Sequence, residues 1–379
     1  MTEAASTQHS SSAWLGTVSS AQANFYWVRL DEKAGNGPYQ PLKMTLLCTR
    51  RARLKKMGQQ VMVGDRVWVE DPDWEDARAV ITAVEPRRTQ LDRPPVANGD
   101  QVLLVFALVE PTLDPHQLSH FLVKAEATGM DVCLCLNKRD LASEVQQQTW
   151  IERLCQWGYT PILISVQTDP AFPALAQALR DRITIVSGPS GVGKSSLINA
   201  LIPKTDLRTN QVSGKLGRGR HTTRHVELFE LPQGGLLADT PGFNQPEISC
   251  HPEDLAQYFP EIRQRLEGDR CQFGDCLHRD EPGCVVRGDW ERYEDYLAIL
   301  KNCLAQQQLR QDSPDPEATY KVKATLAGQV SHEPRLQAKK YRRVSRRRRQ
   351  QALQELRCEL TDTVEPLSDL DEIDWESEN

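Results

Sequence analysis

No stretch of the 379-residue chain approaches the roughly 20 consecutive apolar residues that cross a bilayer. The first twelve residues are polar and serine-rich, without the apolar centre of a secretory leader. The expectation is therefore a cytoplasmic chain with no membrane association. An excess of cations is lacking too: the net charge is −6, which argues against a simple polyanion binder. That mean hides a basic block, Lys339, Lys340, Arg342, Arg343 and Arg346 to Arg349, beside an acidic end, 355–379. Cysteine is not scarce. Ten cysteines in a cytosolic chain point to metal binding rather than disulfides. Cys133, Cys135 and Cys155 lie in apolar patterns and read as small buried hydrophobes. The length suffices for two or three domains with cores of their own.

The most specific stretch is Gly188, Pro189, Ser190, Gly191, Val192, Gly193, Lys194, Ser195, a G-x-x-x-x-G-K-S phosphate loop. The apolar, β-branched run 183–186 precedes it as a buried strand. Leu197, Ile198, Leu201 and Ile202 follow at helical spacing. Such a turn aims backbone N–H groups and the positive end of a helix dipole at one spot, which attracts polyphosphate. Lys194 is expected on the β- and γ-phosphates, Ser195 on Mg²⁺, and Ser196 beside them.

Asn137-Lys138-Arg139-Asp140 is an N-K-x-D motif at the end of the apolar run 132–136. A carboxylate at Asp140 accepts from guanine N1–H and the 2-amine, donors that adenine does not present there. Asn137 suits the N7/O6 edge, and the Lys138 stem covers the ring. Ser165-Val166 offers a backbone N–H to O6. Asp239-Thr-Pro-Gly242 is D-x-x-G, with Asp239 directed at Mg²⁺ and Gly242 at the γ-phosphate. The glycine- and cation-rich stretch 214–224 suits a switch, in which Thr222 or Thr223 closes on Mg²⁺, Thr223 being favoured. Ras-like enzymes place the phosphate loop before N-K-x-D. Here the order is reversed, a circular permutation that sends Asp239 to Gly242 directly into the C-terminal region. Phe243 stands where Ras-like enzymes carry the glutamine that orients water. His221 is the candidate to assist hydrolysis, or else a solvent-facing loop histidine.

The fold class expected is multidomain. A disordered leader (1–12) precedes an all-β OB-type barrel (13–85), with strands read at 25–30, 44–48, 61–63, 66–69 and 79–84. The basic run 50–56 beside Phe25, Tyr26, Trp27 and Trp68 reads either as a nucleic-acid surface or as a solvated loop with core aromatics. A linker (86–100) leads to an α/β GTPase domain (101–248), a parallel sheet with helices on both faces. A helical zinc-binding domain (249–310) follows, then a flexible basic and acidic tail (311–379). The tail's arginines touch RNA phosphates or are neutralised by the acidic end. Cys271-x₄-Cys276-x-His278-x₅-Cys284 fits one structural Zn²⁺ of Cys₃His type, with Cys250, His251 and Cys303 outside the spacing. A helix is read at 289–304, with Tyr293, Tyr296, Leu297, Leu300 and Leu304 on one face.

Together these motifs resemble the bacterial small-ribosomal-subunit-dependent GTPase A family over about residues 13–308. The resemblance implies a permuted GTPase, working as a monomer on GTP and GDP with Mg²⁺. Its partner is the immature small subunit, contacted at ribosomal RNA and protein, and subunit-stimulated hydrolysis drives release. It also implies that the histidine of G-x-H-T-T, His221, acts in hydrolysis beside Lys194. The family's serine-alanine of the guanine loop reads Ser165-Val166 here. Two alternatives stand beside this reading: a GTP-binding RNA scaffold with negligible turnover, and a P-loop kinase of small metabolites.

Overall fold

The computed structural model describes residues 13–31, 45–92, 95–169, 171–202, 226–239, 248, 250–312, 320–324 and 330–334. Five strands form the N-terminal barrel: β1 (Trp14–Gln22), β2 (Phe25–Leu30), β3 (Thr45–Arg50), β4 (Arg66–Asp73) and β5 (Arg78–Val84), with a short helix α1 (Ala52–Lys56) after β3. β1 pairs with β2 and β4, β2 with β3, β3 in parallel with β5, and β5 with β4, so the wall closes without an edge. The two-residue period points Tyr26, Val28 and Leu30 inward with Val18, Leu46, Cys48, Val67, Val69 and Ile81. The same period turns Phe25 and Trp27 out, 52% and 44% exposed. Tyr26 is thus a core aromatic, while its two neighbours share an outer face. The basic run becomes α1, which buries Leu54 against the barrel core and leaves Arg53, Lys55 and Lys56 exposed.

Two strand expectations change. The run 61–63 is a corner, not a strand; Val63 makes only an isolated bridge to Val96. The Asp65 carboxylate accepts the Met62 N–H at 2.7 Å and turns the chain there. The fifth strand is β1, which the sequence reading did not single out.

The stretch expected as a linker is built. β6 (Gln90–Asp92) and β7 (Pro95–Ala97) form a small hairpin that buries Val96 and Ala97. Arg87 donates to both oxygens of the fully buried Asp65, at 2.7 and 3.0 Å, and Asn98 Nδ2 donates to Gly64 O at 3.0 Å. Barrel and linker are latched by these groups. Arg87→Ala strands a buried carboxylate and should lower unfolding free energy by about 2 kcal/mol, read from denaturant melts. An unchanged midpoint would refute the latch.

The central sheet follows. Its elements are β8 (Gln101–Ala107), α2 (Pro115–Glu126), β9 (Asp131–Asn137), α3 (Glu144–Gln156), β10 (Ile162–Leu163), α4 (Pro173–Leu179), β11 (Ile183–Ser187), α5 (Lys194–Leu201), β12 (Glu227–Glu230) and β13 (Leu236–Asp239). The spatial order is β10-β9-β8-β11-β13-β12, parallel except for β12. The chain enters at β8, builds outward through β9 to β10, then returns to lay β11 on the other side of β8. β8 is buried throughout, because Val102, Leu104 and Phe106 face α2 while Leu103, Val105 and Ala107 face α4 and α5. Asp114 caps α2 by accepting the His116 N–H at 3.0 Å, with Pro115 in its first turn. Ser143 and Gln146 close a capping box on α3. A single pairing, Ser20 with Glu227, joins β1 to β12.

Beyond the sheet lie α6 (Pro260–Gly268), the cysteine loop and α7 (Tyr293–Asp312). Their core contains Ile248, Leu255, Phe259, Ile262, Tyr296 and Leu300, and also Val123 from α2. The buried face of α7 is Tyr296, Ile299, Leu300 and Cys303; Tyr293, Leu297 and Leu304 sit at its border. α7 runs past the expected end of its domain. Within the stretch expected as a flexible tail, β14 (Tyr320–Ala324) and β15 (Val330–Pro334) pair as an antiparallel hairpin in a second compact unit, 308–379. No described helix is long and apolar enough to cross a membrane.

Candidate functional site

In an open parallel sheet, ligands bind beyond the carboxyl ends of the strands, where the strand order reverses. Here that point lies between β8 and β11. The glycine loop leaves β11 there. Gly188 has φ +142°, and a Cβ on it would fall 2.1 Å from Val105 O of β8, so only glycine can pass this strand. At the far end of the loop, Gly193 caps α5 at φ +96°, and a Cβ would meet Asn137 Nδ2 at 2.4 Å. Ser195 and Ser196 are exposed on the first turn of α5. Lys194 Nζ folds over its own loop, donating to Gly188 O at 2.8 Å and to Pro189 O.

Asn137 ends β9 and is 2% exposed. Its Nδ2 donates to Val192 O of the phosphate loop at 2.9 Å, and its Oδ1 accepts the Val166 N–H at 3.2 Å. One amide thus ties together the three segments expected at the guanine base and the phosphates. Lys138 stands at φ +62° and donates to Glu110 O. Asp140 lies in a short 3-10 turn (Arg139–Leu141), exposed, and makes no hydrogen bond or ion pair among the described residues. A carboxylate kept free in this way is what a base-reading acceptor needs. Ser165 is fully buried; its Oγ accepts the Thr168 N–H at 3.1 Å. Asp239 ends β13, whose Ala238 pairs with Ile185 of β11, so its backbone reaches the same edge of the sheet as the phosphate loop. His221, Thr222, Thr223, Gly242 and Phe243 lie outside the described residues.

The cysteine loop closes on itself. One ligand atom each from Cys271, Cys276, His278 and Cys284 lies within 4.8 Å of the others. His278 Nδ1 is 3.5, 3.4 and 3.5 Å from the three sulfurs, and Cys271 Sγ is 3.9 Å from Cys284 Sγ. Bonds of about 2.3 Å to sulfur and about 2.0 Å to nitrogen give tetrahedral edges of roughly 3.5 and 3.8 Å, so the donor set is spaced for zinc. Tyr293 and Tyr296 hydroxyls donate to His278 O and Leu277 O at 2.9 and 2.8 Å, and Glu281 accepts the Leu277 and Arg279 N–H groups. Cys250 and Cys303 face each other instead, with sulfurs 3.4 Å apart. Of the three cysteines read as buried, Cys135 is, Cys133 is half-buried, and Cys155 is exposed.

The group that joins the cysteine-loop unit to the sheet has no signal in the sequence. Arg292 is fully buried. It donates to both oxygens of Glu261 at 3.2 and 3.1 Å and to Ser119 Oγ of α2 at 3.0 Å, and lies over the rings of Trp157 and Phe259. Burial raises the Glu261 carboxyl, and the facing guanidinium opposes that. Nothing in the charged run 287–295 distinguishes Arg292 from its neighbours.

A phosphate loop and a guanine-type N-K-x-D on one sheet edge, in this reversed chain order, define a circularly permuted P-loop GTPase. Residues 84–249 match the family model described as RsgA GTPase. The chain is similar to the small ribosomal subunit biogenesis GTPase RsgA of Trichormus variabilis, 59% identical over 357 residues, covering 90% of this chain and 96% of that one. It is also similar to the crystal structure of YjeQ from Thermotoga maritima, at 31% identity and TM-score 0.63, covering 77% of this chain and 99% of that one. YloQ, whose structure is described as a circularly permuted GTPase, is 29% identical with TM-score 0.64, covering 79% and 99%. The chain belongs to the RsgA GTPase family.

Proposed function

We propose that this GTPase acts in late assembly of the small ribosomal subunit, in the cytoplasm and as a monomer, with GTP hydrolysis stimulated by the subunit it binds. The relative's name supports the assembly role. The observation that supports the guanine site is the Asn137 amide, which joins the phosphate loop, the N-K-x-D turn and the 165–166 turn. Asp140 reads the N1–H and 2-amine edge of guanine. Lys138 covers the base, and the 165–166 turn meets O6. On binding, phosphate oxygens replace the carbonyls that Lys194 now engages, while the loop N–H groups and the start of α5 take the remaining charge. Ser195 and Asp239 hold Mg²⁺, which neutralises charge building on the phosphates. Thr223 closes on Mg²⁺ and Gly242 meets the γ-phosphate, and His221 aids the water that Phe243 cannot orient. Cys271, Cys276, His278 and Cys284 hold one structural zinc. The outward Phe25 and Trp27, with the cations of α1, offer stacking and charge to ribosomal RNA.

The deciding measurement is GTP turnover with and without purified small subunits. A stimulated rate is expected; equal rates would refute the assembly role. A His221→Ala variant that keeps full stimulation would remove His221 from the mechanism. Asp140→Asn replaces an acceptor by a donor where the base is read. It should shift preference from guanine toward xanthine nucleotides by about 100-fold in competition binding. Unchanged preference would mean Asp140 does not touch the base.

A further inference from the structure

The turn after β10 is held more firmly than a surface turn requires. Asp169 Oδ2 accepts the Ser165 N–H at 2.8 Å, and its own N–H returns to Ser165 O at 3.0 Å. Its second oxygen accepts from Arg139 Nη2 at 2.6 Å, and Arg139 N–H donates to Ile164 O at 3.1 Å. Arg139 is the variable position of N-K-x-D itself, in the same short turn as Asp140. A plain turn cap would need only the Ser165 contact. The bridge to Arg139, thirty residues away in the chain, also ties this turn to the 3-10 turn that carries Asp140.

The donors follow from the same network. Ser165, Thr168 and Asp169 N–H groups are spent inside the turn. Val166 N–H is held by Asn137 at a long 3.2 Å, and Gln167 N–H takes no partner among the described residues. Gln167 N–H is therefore the donor this turn presents unpaired among the described residues, and Val166 N–H can share a second acceptor beside Asn137. Burial works to raise the Asp169 carboxyl, but the Ser165 N–H and Arg139 outweigh it and hold the group below the ordinary carboxylate range. The acceptor stays charged at neutral pH.

We propose that Asp169, braced by Arg139, is a specificity-positioning residue that presents the 166–167 N–H groups to the 6-keto oxygen of the purine. The inference rests on the guanine reading above. Loss of the brace weakens ligands that carry a 6-keto group and relaxes the penalty on a 6-amino group, whose N–H would face those donors.

The test is equilibrium binding of GDP, IDP and ADP to the full chain. For Asp169→Ala, GDP and IDP affinities should fall together by about tenfold while ADP does not, so the GDP-to-ADP preference narrows by about tenfold. Asp169→Asn keeps an oxygen for the Ser165 N–H and should recover part of the loss. Arg139→Ala, at a 47% exposed side chain, should move the ratio the same way and serves if Asp169→Ala does not fold. A loss equal for all three nucleotides would make Asp169 a structural cap and overturn the proposal. An unchanged GDP-to-ADP ratio, in a wild type that discriminates the two, would overturn it as well and leave the guanine reading standing. A wild type that binds GDP and ADP alike would overturn both.

Discussion

Stripping the Cys271, Cys276, His278 and Cys284 cluster with a strong chelator should release one zinc per chain and loosen the helical unit around it. The loop from 269 to 285 has little core of its own, since His278 is its one buried residue. His278 holds φ +59°, a left-handed conformation uncommon for a non-glycine residue. Three thiolates without a cation would repel at these distances. Structural zinc contributes about 10 kcal/mol or more in small peptide sites. Here the core around Phe259 and Tyr296 retains part of the packing, so a loss of several kcal/mol is expected. Metal content and the melting temperature of Cys276→Ser read the effect directly. A protein that carries no zinc, or a serine variant that melts with the wild type, would remove the structural metal from this account.

Lys194→Ala should lower GTP turnover by about 10² to 10³-fold, with and without the small subunit. The lysine is the cation of the phosphate loop, and its ammonium now bridges two loop carbonyls. Removing a preorganised charge aimed at the transition state has a cost of that order. Single-turnover hydrolysis separates chemistry from binding. A variant that hydrolyses normally would place the phosphates elsewhere.

These sites were legible because their chemistry is written locally. A turn that must pass β8 at Gly188 needs glycine, and a Cys₃His donor set that closes within one short loop leaves its members in one short stretch. The barrel was legible in type and in four of its strands, β2 to β5, but not in β1. Trp14–Gln22 carries glycine and serines, and its alternation is broken by a bulge between Val18 and Ser20. Val61-Met-Val63 has the composition of a strand, yet the Asp65 carboxylate bends it into a corner. Long-range ties such as Arg87 to Asp65, Arg139 to Asp169 and Arg292 to Glu261 have no local signal. Each arginine finds its carboxylate only after the chain has folded.

The shared helix α2 limits how this protein can be cut apart. One side of it packs on the sheet through Leu118, Phe121, Leu122 and Ala125, while Ser119 and Val123 meet Arg292 and the core of the metal-ligand unit. A truncation that stops after residue 248 would bare Val123, Ser119 and the face of Trp157 that Arg292 now covers. Such a fragment should self-associate, so nucleotide assays on an isolated sheet domain would report the behaviour of aggregates.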